Sequence, residues 1–226
     1  QSLYLYATDI TGTIPVSIGI LTNLQVLYLD NNKLTGSIPS SLGLLPMLKY
    51  LCLNNNLLTG TVPAGIGQDV SLVYLYLNNN WLTGPIPTTL VQLTRLESIT
   101  FAVNGLTGTL PTLISLLWRL DQLDFSYNHL TGLIPPFGNS IQYLFLNNNE
   151  FHGAARVFNI SNAVNIDASC NYLTGTLPSN VSSHLSAVNV GFNSLSGTIP
   201  VSYGSFPSLH SLNLSSNLRI SMFLLL

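Results

Sequence analysis

A unit of about 24 residues recurs along the whole chain, and this period constrains the fold more than any other feature of the sequence. Aligning the chain on the asparagine that follows each Leu-x-Leu gives a spacing of 24 between the first five copies, then 21, 22, 22 and 24. The aligned asparagines are Asn32, Asn56, Asn80, Asn104, Asn128, Asn149, Asn171, Asn193 and Asn217. Thr8 takes this place in the opening, incomplete copy. Such a period indicates structural units that stack along one axis.

Each part of the unit L-x-x-L-x-L-x-x-N-x-L-T-G-x-I-P has a mechanical explanation. Leu-x-Leu alternates with period two, which predicts a short strand with one buried face, and such strands stack in parallel, one per turn. An inward asparagine carries donors and an acceptor, so it can satisfy backbone groups left unpaired by the bend after the strand. We therefore predict an asparagine ladder through the solenoid.

The second half of the unit predicts a corner, a short second strand and a convex side. Glycine after threonine permits a sharp corner, as at Gly12, Gly36, Gly60, Gly84, Gly108, Gly132 and Gly175. Proline lacks an amide donor, which places it at the end of a second strand or in the following loop. These prolines are Pro15, Pro39, Pro63, Pro87, Pro111, Pro135, Pro178 and Pro200. Leucines recurring every third residue, such as Leu42, Leu45 and Leu48, suit a 3₁₀-like convex side.

Composition excludes several classes of function. Only 6% of the residues are charged against 46% hydrophobic, so solubility depends on uncharged polar groups. The six Lys and Arg residues are scattered and the net charge is −2, which argues against a nucleic-acid partner. The apolar runs are far shorter than the roughly 20 residues that span a bilayer, so we expect no membrane span in this segment.

The repeat resembles the plant-type extracellular leucine-rich repeat, and the resemblance covers the chain from Gln1 to about Asn217. The segment L-T-G-x-I-P carries it, because this segment separates the plant-type class from intracellular repeats. The resemblance implies a secreted or surface-displayed, non-catalytic recognition solenoid, similar to receptor-like kinase and receptor-like protein ectodomains and to polygalacturonase-inhibiting proteins. The expected fold is an α/β-type solenoid with a parallel β-sheet on the concave face, short second strands, a 3₁₀ or loop convex side and little α-helix.

The domain prediction is a single solenoid over residues 1–226 with about nine to ten repeats. The chain opens inside a repeat and shows no disulfide-bearing cap, which suggests a fragment of a longer chain. The seventh repeat reads NEFHGAARVF and loses Ile-Pro. We therefore expect irregularity around 133–170, with the second strand interrupted near Ala154 and Ala155.

Catalytic interpretations find little support in the sequence. Cys52 and Cys170 are five repeats apart, on the order of 24 Å, whereas a disulfide needs Cα atoms within about 7 Å. Cys52 takes a strand position that should face outward. Asp121 and Asp124 are near in sequence, but only Asp124 should face the concave surface. We expect no catalytic residues, no metal site and no cofactor.

Outward strand positions are where the repeats differ, so ligand specificity should be encoded there. The candidate ligand-binding residues are aromatic: Tyr4, Tyr6, Tyr28, Tyr50, Tyr74, Tyr76, Tyr143 and Phe145. Tyrosine is common at interfaces and forms stacking platforms for sugars. The alternative is that these tyrosines pack on one another across adjacent strands and stabilise the sheet.

Two further patterns concern the surface. Thr11, Thr35, Thr59, Thr83, Thr107 and Thr131 recur at one repeat position, with Thr13, Ser37, Thr61 and Thr109 two residues later, and such a hydroxyl array is one that an ice lattice could match. Turn formation explains the same threonines. N-glycosylation sequons occur at Asn159, Asn180 and Asn213.

The leading functional hypothesis is an extracellular or cell-surface recognition module that binds a protein, peptide or glycan ligand. The alternative is a structural subunit of a filament or wall assembly, because an uncapped solenoid can self-associate head to tail. Ice binding is a minor alternative.

Overall fold

The computed structural model describes residues 1–68, 70–155, 160–179 and 181–221. Its first sheet contains ten parallel strands, in the order in which they occur along the chain. The strands are Ser2–Tyr4, Val26–Tyr28, Tyr50–Cys52, Tyr74–Tyr76, Ser98–Thr100, Gln122–Asp124, Tyr143–Phe145, Asn165–Asp167, Ala187–Asn189 and Ser211–Asn213. The central residue of each strand points into the core, so that Leu27, Leu51 and Leu75 lie side by side and are almost fully buried. The predicted solenoid and its concave sheet are confirmed.

A second sheet is formed by short strands at the corner of each repeat. Seven of its strands form one parallel sheet: Thr59–Gly60, Trp81–Pro85, Gly105–Thr109, His129–Leu133, Glu150–Ala154, Tyr172–Gly175 and Ser194–Leu195. Two shorter pairs continue the pattern near the two ends, Thr11–Thr13 with Lys33–Thr35 and Gly197–Thr198 with Ile220–Ser221.

The predicted interruption of the second strand in the seventh repeat is wrong. Glu150–Ala154 pairs with the strands on both sides, and Gly153 keeps the positive φ of the other corner glycines. Sheet pairing uses backbone groups, which alanine supplies as well as threonine does. Ala155 is fully buried, directly after this strand, so the core remains closed.

The convex side is where the shortened repeats differ from the others. Among the residues that the structure describes, its 3₁₀ turns include Val16–Ile20, Ser40–Leu44, Ala64–Gln68, Thr88–Gln92, Ile114–Leu116 and Val201–Ser205. The connection between Leu133 and Tyr143 contains no 3₁₀ turn and is about three residues shorter than its predecessors. The missing residues are therefore removed from the convex loop while both sheets are preserved. No helix among the described residues has both the length and the apolar character to cross a bilayer.

The predicted asparagine ladder is confirmed. Asn80 is buried, and its Nδ2 donates to the carbonyl oxygens of Leu53 and Leu77 at 3.0 and 3.1 Å. Its Oδ1 accepts from the backbone N–H of Leu58 at 3.0 Å. Each asparagine thus links its own turn to the preceding one. The same contacts recur from Asn32 to Asn217.

Several repeats contain three consecutive asparagines, and each of the three has a different structural role. In the fourth repeat, Asn78 faces the concave side, Asn79 has a φ of +54° and Asn80 belongs to the ladder. A left-handed backbone is costly for most side chains, and asparagine tolerates it better than most. Val103 and Tyr127 take the equivalent left-handed position in the next two repeats and are exposed.

The two cysteines are free, as the spacing of the repeats requires. The strand register confirms that Cys52 takes an outward position, between Tyr28 and Tyr76. It lies on the outward side of its strand but only 6% of its surface is exposed, because the neighbouring tyrosines cover it. Burial, followed by the negative charge of Asp30, raises the pKa of this thiol to about 12.

Candidate functional site

Strand register places the candidate tyrosines in columns that run across the first sheet. Tyr50 and Tyr74 are direct neighbours in one column, and Tyr4 and Tyr28 are neighbours in another. Tyr76 belongs to the second column and is separated from Tyr28 by Cys52. We call Tyr4, Tyr6, Tyr28, Tyr50, Tyr74 and Tyr76 the tyrosine surface.

The rings of the tyrosine surface contact one another. Tyr50 and Tyr74 stack with centroids 5.1 Å apart and planes 9° from parallel, while Tyr4 meets Tyr28 edge to face at 5.3 Å. Tyr74 also contacts Tyr76 at 6.1 Å. Such pairs contribute roughly 0.5–1.5 kcal/mol beyond the burial of their area. Cross-strand packing is therefore real here, and it leaves the outer ring faces available to a ligand.

The structure does not bring all eight predicted residues together. Tyr143 and Phe145 lie in the same two columns as the tyrosine surface, but the strands Ser98–Thr100 and Gln122–Asp124 intervene. The separation from Tyr74 to Tyr143 is three strand spacings, roughly 14 Å. Tyr143 and Phe145 therefore form a separate aromatic spot.

A shallow depression of about 690 Å³ lies within the tyrosine surface. It is lined by Tyr4, Tyr6, Tyr28, Asp30, Cys52, Asn54 and Tyr76. Tyr4 and Tyr6 are each more than half exposed, so the rim of the depression is open to solvent. Burial is the main cause that raises the pKa of the Tyr28 hydroxyl, which therefore stays protonated and able to donate. The depression offers aromatic faces and hydroxyl donors, the two features that peptides and sugars use.

A second surface, which sequence analysis did not identify, lies along the edge where the strands of the first sheet begin. Two depressions share Tyr74, Glu97 and Arg119 and form one groove, which we call the strand-start groove. Its other lining residues are Lys49, Tyr50, Ser71, Val73, Tyr76, Arg95, Ser98, Trp118, Asp121, Gln122, Ser140 and Gln142. Five of the fourteen charged residues of the chain lie here. The 24-residue spacing of Glu97 from Asp121, and of Arg95 from Arg119, is the sequence signal that could have revealed it.

The charged groups of the strand-start groove are not paired with one another. Within the described residues the ion pairs are Lys33 with Asp9 and His129 with Glu150, and both lie elsewhere. Glu97 accepts a hydrogen bond from the Tyr74 hydroxyl at 3.1 Å. The guanidinium of Arg119 lies 4.5 Å from the ring centroid of Trp118, a side chain that is 60% exposed. Burial, and then the nearby charge of Glu97, raises the pKa of Asp121.

The aspartates and the glycosylation sequons are further residues that the sequence singles out. Asp124 faces the concave side as expected, and its Oδ1 accepts from the backbone N–H and the hydroxyl of Ser126 at 3.0 and 2.6 Å. Among the described residues, no group of three His, Cys, Asp or Glu side chains could hold a metal ion. Asn159 and Asn180 lie outside the described residues, and Asn213 is exposed at the end of the last strand of the first sheet.

The predicted threonine files are staggered in the structure. In the second sheet Thr13 lies beside Thr35 and Thr109 beside Thr131. Neighbouring strands up to His129–Leu133 are therefore offset by 22 residues, against 24 in the N-terminal part of the first sheet. Hydroxyls on adjacent turns therefore lie beside each other in pairs. Threonines at the same position of successive repeats form a line that is oblique to the strands. Several of these hydroxyls donate to the corner glycine of the preceding turn, as Thr35 does to Gly12 at 3.2 Å.

Comparisons with known proteins agree with this architecture. The Leucine Rich Repeat family profile matches residues 23–45, 47–68, 71–93 and 119–139. The ectodomain of the Arabidopsis receptor kinase HAESA, solved with the peptide hormone IDA and the co-receptor SERK1, is 35% identical, with a TM-score of 0.88 over 93% of this chain and 36% of that one. The plant peptide hormone receptor RGFR1, in complex with RGF2, is 31% identical, with a TM-score of 0.80 over 98% of this chain and 40% of that one.

A plant ice-binding protein is a third similar structure, at 27% identity and a TM-score of 0.80. It is covered over 76% of its length by the whole of this chain. A comparison with curated protein sequences gives no match. The chain thus spans little more than a third of the HAESA ectodomain but three quarters of the ice-binding protein.

The stacked parallel strands, the asparagine ladder and the recurrent corner glycines define a leucine-rich-repeat solenoid. The L-T-G-x-I-P segments and the likeness to plant receptor ectodomains are more specific. The chain is a leucine-rich-repeat protein, and it is similar to the plant-type class found in receptor ectodomains.

Proposed function

We propose that this chain is an extracellular recognition module that binds a protein, peptide or glycan ligand through the tyrosine surface and the adjoining strand-start groove. The observation that carries the proposal is the meeting of these two surfaces at Tyr74 and Tyr76. Aromatic faces and unpaired charges are concentrated there, on a chain in which only 6% of the residues are charged. The complexes of HAESA and RGFR1 with peptide hormones support a peptide as the first ligand to test.

A screen of secreted peptides and cell-wall oligosaccharides would identify a ligand, and the double variant Tyr50→Ala with Tyr74→Ala would test its site. We expect the variant to weaken binding by about 2 kcal/mol or more, because large aromatic side chains dominate interface energies. Calorimetric titration measures the affinity. The stacked pair contributes up to about 1.5 kcal/mol beyond the burial of its area, so thermal unfolding is measured in parallel to separate a loss of stability from a loss of binding.

Tyr172→Ala is the matched control, since Tyr172 is 62% exposed but lies on the second sheet. It should leave the affinity unchanged. If the Tyr50 and Tyr74 variant bound the ligand as tightly as the wild type, the tyrosine surface would serve only to pack the sheet. Polymerisation with rising protein concentration, together with no ligand, would favour the filament hypothesis.

Ice binding is the second candidate function, and it is favoured by the exposed hydroxyls of the second sheet. Thr59, Thr83 and Thr107 are exposed on successive turns, and one of the similar solved structures is a plant ice-binding protein. We expect Thr83→Tyr to disrupt any ice-contacting face, because the larger side chain would project between the exposed threonine hydroxyls of adjacent turns. Thermal hysteresis and ice recrystallisation are the measurements.

Thr100→Tyr makes the same substitution on the concave side and serves as its control. Ice activity that survives Thr83→Tyr but is lost in Thr100→Tyr would locate the contact on the first sheet instead. A wild-type protein that does not alter ice growth would rule out this candidate.

A further inference from the structure

The strand-start groove contains buried polar atoms that have no hydrogen-bond partner. Across the described residues, only two buried side-chain oxygens have no partner, Asp121 Oδ1 and Ser140 Oγ. Both line the same depression, whose volume is about 600 Å³. Leaving such atoms unpaired costs free energy, roughly 1–3 kcal/mol each and more for a charged group. Their coincidence in one depression marks the part of the groove where polar groups lack partners within the chain.

The chemistry of the depression selects the kind of partner. A carboxylate oxygen can only accept a hydrogen bond, so the group that satisfies Asp121 must be a donor. Glu97 places a second negative charge nearby, and this repulsion would be relieved by a positive charge. Trp118 supplies an exposed aromatic face, to which ammonium and guanidinium groups are attracted. Arg119 already occupies such a position against Trp118, at 4.5 Å, without pairing with either carboxylate.

We propose that the strand-start groove seats a basic side chain of a peptide ligand, with its ammonium or guanidinium group between Asp121, Glu97 and the Trp118 ring. This inference rests on the proposed recognition function and names the ligand chemistry of one part of the site. Charge-assisted hydrogen bonds of this kind are about twice as strong as neutral ones. The seat would thus contribute to the affinity for the peptide and fix its orientation along the groove.

The other end of the groove has the opposite charge. Lys49 and Arg95 line it beside Tyr50. Lys49 and Asp121 precede equivalent strands three turns apart, a distance of roughly 14 Å. An extended peptide covers that distance in about four residues. The groove therefore fits a peptide that carries a basic residue and, about four positions away, an acidic one.

Fluorescence offers a direct test, because the chain has only two tryptophans. Trp81 lies on the second sheet, so Trp81→Phe leaves Trp118 as the sole reporter. The probe is the peptide acetyl-Arg-Gly-Ser-Gly-Asp-amide, and the comparison peptide replaces arginine with citrulline, its neutral isostere. We expect saturable quenching by the arginine peptide and at least tenfold weaker binding of the citrulline peptide. Equal binding of the two peptides, or no saturable response, would overturn the proposal.

Two variants with opposite expected effects on affinity test where the arginine peptide binds. Asp121→Asn with Glu97→Gln should remove at least nine tenths of the affinity for the arginine peptide. Arg119→Gln should strengthen binding a few-fold, because it removes a repelling charge. Asp124→Asn, in the same repeat but outside the groove, should change nothing. Thermal unfolding confirms that each variant is folded, and an unchanged affinity in the Asp121 and Glu97 variant would contradict the proposal.

The two proposals fail in different ways. A natural ligand that needs Tyr50 and Tyr74 but binds equally well to the Asp121 and Glu97 variant would overturn the basic-residue seat and leave the recognition function standing. Charge-dependent binding of the arginine probe, with no ligand found in the screen, would support the seat and count against the wider recognition function.

Discussion

Replacing Gly43 with alanine is expected to lower the free energy of unfolding by roughly 3 kcal/mol or more. Gly43 lies in the 3₁₀ turn Ser40–Leu44, which stacks on the turn Ala64–Gln68 of the next repeat. A methyl group added there would overlap the carbonyl group of Gly65. Because the obstacle is backbone, the overlap is relieved only if adjacent turns separate. For a chain of this size, thermal unfolding should shift by roughly 2–4 °C per kcal/mol.

Gly204 provides the matched control for this substitution. It takes the same fourth place in the five-residue turn Val201–Ser205, but a Cβ built on it meets nothing within 4 Å. Gly204→Ala should change stability by no more than about 1 kcal/mol, and the change can be favourable because alanine restricts the unfolded chain. A Gly43→Ala protein that unfolds like the wild type would show that the convex turns are not closely stacked.

The second large effect is expected at Asn80. Substitution with alanine should cost roughly 1–3 kcal/mol, because one buried backbone N–H loses its partner and two carbonyls each lose one of their hydrogen bonds. The backbone N–H of Leu58 loses its partner. The carbonyls of Leu53 and Leu77 each lose one donor and keep a second one, from Asn56 and Asn104 respectively. Since these residues belong to two turns, the loss weakens the connection between repeats. Equilibrium unfolding in denaturant measures the change.

Asn78→Ala is the control from the same run of asparagines. Asn78 faces the concave side, and only its backbone carbonyl contacts the ladder. Its substitution should change stability by less than about 0.5 kcal/mol. Equal losses for Asn78→Ala and Asn80→Ala would contradict the ladder, because they would show that position within the run does not matter.

The candidate site was only partly predictable. Period two identified the outward tyrosines, since alternate residues of a strand point to opposite faces. The order of the repeats also placed two strands between Tyr74 and Tyr143, and the register across the sheet agrees with this separation. The strand-start groove was missed because Glu97, Trp118, Asp121 and Ser140 lie before or between the strands, where alternation gives no direction.

Sequence alone determined the elements whose causes repeat within each unit: the buried leucines, the asparagine ladder and the corner glycines. Each depends on a side chain acting on its own turn or on an identical neighbour, so the period is enough to predict it. Tertiary structure alone decided the continuity of the second sheet through Glu150–Ala154, the covering of Cys52 and the grouping of charges along one edge. These features depend on contacts between different residues of successive turns. Backbone pairing, strand register and burial determine which residues make those contacts.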